Sequence, residues 1–96
     1  MPVDSRALNR IFNEHAYFER FQRGEFIACL NKETNATSLD EPPGTRSLTV
    51  WYMDREGNRI CLVHFYLRPN LSIGGRPPFR PEPKVLIHEG TRYELA

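Results

Sequence analysis

His64, Tyr66 and Arg68 stand at alternate positions of one stretch, and in an extended backbone such spacing lines up an imidazole, a phenol and a guanidinium on one side, about 7 Å from each to the next. The segment that follows adds Arg76, Arg80 and Lys84, so that Arg68 to Lys84 holds four cations against one acid, Glu82. Groups of this kind suit an anion. Guanidinium groups pair with phosphate or carboxylate through two parallel hydrogen bonds, and Gly74-Gly75 would let backbone come close to such a ligand. Tyr66 and Phe79 offer ring faces for base stacking, which extends the reading to RNA. The predicted ligand- or anion-binding set is therefore His64, Tyr66, Arg68, Arg76, Arg80 and Lys84. The plainer alternative is a half-buried outer strand face beside a solvated loop, since His and Tyr are intermediate in burial and charge runs are usually surface.

General acid–base work by His64, with Tyr66 and arginines nearby, also fits metal-independent RNA cleavage, in which a general base and a positive stabiliser suffice. Other chemistries find less support. None of His15, His64 and His88 has a second His or Cys at the short offset typical of zinc sites, so no metal and no other cofactor is expected. No serine lies in a Gly-x-Ser-x-Gly setting, and Cys29 and Cys61 sit in apolar runs that predict buried, inert thiols. His15 reads as a boundary residue of a helix, and His88 as an exposed turn residue.

The elements that must hold these groups are marked along the chain. Leu8, Ile11, Phe12, Phe18 and Phe21 recur on one helical face, predicting a helix from Ser5 to about Gln22 with Asp4 or Ser5 as its cap and Gly24 as its stop. Arg6, Arg10, Asn13, Glu14, Arg20 and Arg23 form its solvated face. Phe26 to Leu30 predicts a short strand, and Asn31 to Arg46 a long polar loop. Ser47 to Met53 and Arg59 to Leu67 predict a hairpin closed by Asp54-Arg55-Glu56-Gly57, and Val85 to Ile87 with Arg92 to Leu95 a second closed by Glu89-Gly90. On the strand from Arg59, the residues Cys61, Val63, Phe65 and Leu67 face the core, whereas Ile60, Leu62, His64, Tyr66 and Arg68 face outward. Five prolines between Arg68 and Lys84 exclude a helix or a central strand there.

These elements define an α+β fold, one domain over residues 1–96, with the N-terminal amphipathic helix packed on a mostly antiparallel sheet of about four or five strands. A hydrophobic fraction of 40% with 11% aromatics closes such a core without disulfides. A formal net charge of +1 gives no global attraction to nucleic acid or anionic lipid, so any basic patch is local. No apolar run reaches membrane-spanning length and no signal-peptide pattern follows Met1, so a cytoplasmic location without membrane contact is expected.

Val63-His64-Phe65-Tyr66-Leu67-Arg68-Pro69-Asn70 and Pro83-Lys84-Val85-Leu86-Ile87-His88-Glu89-Gly90 resemble stretches of small bacterial proteins of unknown function, over the C-terminal third. The resemblance implies a bacterial origin and carries no activity. One helix shields only one side of a sheet, and both faces here carry large apolar groups, Trp51 and Met53 opposing Val50 and Tyr52. A protein partner or self-association through the second face is the first functional expectation. An RNA-directed protein, such as a ribonuclease-like toxin, is the alternative.

Overall fold

Asp4 accepts the Ala7 amide at 2.7 Å and so starts α1 (Ser5–Glu14), whose Leu8 and Phe12 are fully buried. In the computed structural model, which describes Met1 to Ala96, the expected single helix breaks after His15. Ala16 takes a left-handed conformation, φ 54°, and α2 (Tyr17–Gln22) restarts at a new angle. The break buries Tyr17, which an unbroken helix would not bring between Phe12 and Phe26. Gly24, at φ 86°, ends the helical region as its residue type predicts.

Six strands, β1 (Pro2–Val3), β2 (Ile27–Asn35), β3 (Arg46–Met53), β4 (Arg59–Leu67), β5 (Glu82–His88) and β6 (Thr91–Leu95), lie in the order β1-β6-β5-β4-β3-β2, with β1 parallel to β6 and every other pair antiparallel. The two-residue β1 raises the count beyond the four or five expected. Both hairpins form. Gly57 and Gly90 take positive φ in their turns, and Asp54 accepts the amides of Glu56 and Asn58.

Two boundaries depart from expectation. β2 (Ile27–Asn35) runs five residues past Leu30 and pairs with β3 (Arg46–Met53) as far as Asn35↔Arg46, so the polar loop shrinks to residues 36–45. Its side chains are exposed at every position, which removes the apolar alternation by which strands are recognised. The other departure is Pro83, which lies inside β5 (Glu82–His88) opposite Val63 of β4 (Arg59–Leu67). β6 reaches only as far as Val85, so Pro83 has a strand on one side alone, the edge-like setting in which proline is tolerated.

Helices lie on one face alone. There Leu8, Phe12, Tyr17 and Phe26 meet Val50, Tyr52, Cys61, Val63 and Leu86 in one continuous core. Ile60 also packs against that core, because a register shift between Tyr52 and Met53 frees it from the outward alternation expected of it. No helix in the chain is long and apolar enough to cross a membrane.

Candidate functional site

The uncovered face is read directly from strand register. Cys29, Trp51, Leu62 and Val85 stand opposite one another in a row crossing β2 to β5, followed by Lys32, Thr49, His64 and Glu82, then by Thr34, Ser47 and Tyr66. The face is therefore apolar at one end and polar at the other. Trp51 is only 8% exposed although no helix covers it, and the Arg59 guanidinium lies 5.0 Å over its ring. Cys29 is exposed, contrary to the buried thiol its apolar neighbours predict, because β2 is an edge strand that nothing covers; Cys61 is buried as expected.

At the polar end a cleft of about 370 Å³ opens between the sheet and the proline-rich segment, and five of the six predicted residues line it: His64, Tyr66, Arg76, Arg80 and Lys84. Lys84 reaches it through a bulge, since the β4–β5 register slips between Val63↔Pro83 and Leu62↔Val85 and leaves Lys84 unpaired. His64 Nε2 shares a 2.8 Å hydrogen bond with Ser47 Oγ, which leaves Nδ1 for a ligand. Tyr66 stands edge-on to that imidazole, ring centroids 5.0 Å apart. Burial, and then the charge of Lys84, hold the His64 pKa below its ordinary value, with Glu82 opposing. The ring at the centre of the cleft is accordingly neutral at pH 7.

Two of the predicted cations are already engaged. Arg68 does not line the cleft: its Nε donates to Glu41 at 2.8 Å and its guanidinium lies over Phe79. Arg80 touches the cleft wall, but its guanidinium donates to Glu19 at 2.6 and 3.1 Å and stacks over Phe18. Each fastens the proline-rich segment, one to the loop before β3 and the other to α2. Arg76 and Lys84 remain, with Glu82 at 3.8 Å from the lysine.

The glycine pair does not cradle an anion either. Gly74 N–H donates to the Tyr66 carbonyl and Gly75 N–H to Glu41. A Cβ on Gly74 would come within 2.5 Å of the Glu41 carboxylate, so glycine is required there for the carboxylate to dock. Glu41, whose side chain is 3% exposed, is the residue that sequence reasoning missed. The Arg68 hydrogen bond, and then that of Gly75, hold its carboxyl below the usual range.

A second polar group forms on the helix side. His15 and His88 rings lie 4.1 Å apart, and His88 Nδ1 shares a 2.6 Å hydrogen bond with the Tyr17 hydroxyl. His88 is thus half-buried and not the exposed turn residue expected, because the helix break carries Tyr17 over the end of β5. Comparison with protein-family models, with curated proteins and with solved structures finds no match to this chain.

Proposed function

We propose that this chain is a small protein-interaction module that docks a partner on the open face of its sheet. The observation that carries the reading is the apolar row Cys29, Trp51, Leu62 and Val85, extended by Ile27, Met53 and Ile87, which lies on the face that no helix packs against. An apolar centre with Trp, Tyr and Arg at or near it and a polar rim is how stable interfaces are built. Arg59, over Trp51, and Lys84, next to Val85 in the chain, border the row, so the partner it fits presents an apolar patch edged by carboxylates. Two unpaired thiols suit a reducing cytoplasm, in keeping with the bacterial resemblance. The test replaces Leu62 by Glu: circular dichroism should stay native, while affinity for a partner isolated with the native chain and then purified falls roughly tenfold or more. Unchanged affinity in that variant would sink the reading.

A second reading rests on the cleft, where His64, Tyr66, Arg76 and Lys84 converge as an RNA-directed site requires. Its signature is single-stranded RNA binding that weakens steeply with salt, and weakens further in Arg76→Ala and Lys84→Ala. If bound RNA is cut, the cutting should disappear in His64→Ala. Failure to bind RNA at low salt removes this reading and leaves the first intact.

A further inference from the structure

β2 is the longer of the two edge strands of the sheet, and its two halves are finished differently. Past Leu30 the edge is blunted by a register shift at Asn31 and by the charges of Lys32 and Glu33. From Ile27 to Leu30 there is no charge, no proline and no cover, and Ile27 and Leu30 are 59% and 61% exposed. Such an edge offers a row of unpaired amide and carbonyl groups to another strand.

Beside it lies a matching recess. Leu30 stands opposite Val50, on the helix side of the sheet, and so does Ala28, opposite Tyr52. Ala28 forms part of the wall of an apolar pocket of about 100 Å³ that Phe18, Phe21, Val50 and Phe65 also bound. The pocket has room for one aliphatic side chain, and the chain displays one on the same strand two residues away.

We infer that two copies of this chain pair antiparallel through β2, about a two-fold axis at Cys29, joining their sheets into one of twelve strands. In that register Ala28 of each copy opposes Leu30 of the other, so each leucine is delivered to the lip of its neighbour's pocket. The charged residues Lys32 and Glu33 lie beyond the paired stretch, which runs from Ile27 to the register shift at Asn31. The surface is isologous: knob and hole occur on the same strand, so one axis satisfies both at once. This inference stands apart from the open-face reading, since strand pairing uses the edge and a pocket on the helix side and leaves Trp51, Leu62 and Val85 of the open face free.

The register is testable because Cys29 meets its own copy. Directly opposed residues of antiparallel strands have Cα atoms roughly 4.5–5.5 Å apart, within disulfide reach. Light scattering of the whole protein should give a dimer, and diamide, which takes up the two thiol hydrogens, should convert it to a covalent dimer. Cys29→Ser should remain dimeric and lose the crosslink. Leu30→Glu, at an exposed position, should keep its circular dichroism and weaken dimerisation roughly tenfold or more; Leu62→Glu should leave the dimer unchanged. A monomer at all concentrations, a dimer that Leu30→Glu leaves intact, or a dimer in which Cys29 fails to crosslink would each overturn the inference.

Discussion

The two faces of this sheet draw on the same strands and similar side chains, yet one is sealed and the other left open. On the helix side Cys61, Val63 and Leu86 have no exposed surface, because Leu8 and Phe12 of α1 descend onto them. On the other side Leu62 and Val85, their immediate neighbours in sequence, have no helix over them and remain partly exposed. Alternation in a strand determines which residues share a face; whether that face is core depends on what lies over it. Two short helices suffice for one.

The largest expected effect breaks the sealed side. Phe12→Ala should cost about 3–5 kcal/mol in denaturant unfolding, the range for a large aromatic removed from a core that cannot collapse around the gap. Leu62→Ala, on the open face, should cost only about 1 kcal/mol, since its side chain already touches water. Equal losses would mean that the faces are energetically alike and would undo the contrast.

Acid should act next, through the fasteners at the border of the faces. Glu41 and Glu19 are held below the ordinary carboxylate value of 4.5 by hydrogen bonds from Arg68 and Arg80 respectively. Their folded pKa values are depressed, so their stabilisation is complete above that value and is lost as pH falls through the folded ones. Melting temperature should therefore drop below about pH 4.5, and less steeply in Glu41→Gln, which starts from a lower value at neutral pH. A parallel pH profile for the variant would count against the fastening role.

A smaller measurement sharpens the open side. By nuclear magnetic resonance His64 should titrate below its ordinary value of 6.5. Lys84→Ala should move that midpoint up and Glu82→Gln should move it down. The smallest effect concerns the helix break: Ala16→Gly should raise stability by about 1 kcal/mol, because glycine carries no penalty in the left-handed conformation that Ala16 occupies.

Much of the covered side was legible in the amino-acid sequence. Leu8, Ile11 and Phe12 set the helical face, Cys61, Val63 and Phe65 the buried strand face, and Gly57 and Gly90 the turns. The break at Ala16 was not, for it involves neither glycine nor proline and arises from where Tyr17 is packed. β2 beyond Leu30 was hidden for the opposite reason: an exposed edge strand has no apolar rhythm to display. Of the cleft, the residues were legible and their engagements were not. Glu41 stands 27 residues from Arg68 and 34 from Gly75, and no local pattern announces a contact over that distance. One signal was available, since a segment with four cations and one acid offers partners to acids elsewhere in the chain, and Arg68 and Arg80 found them.

The Glu41 carboxylate also has a mechanical consequence. By gripping Arg68 and Gly75 together it makes the loop before β3 and the proline-rich segment one rigid part, and Arg80 rivets that part to α2. The walls of the cleft are thus tied to one another by side-chain hydrogen bonds, and a ligand, were one to use it, would surrender little freedom on the protein's behalf. Association there should run at the pace of diffusion and orientation, with no slow closing step behind it.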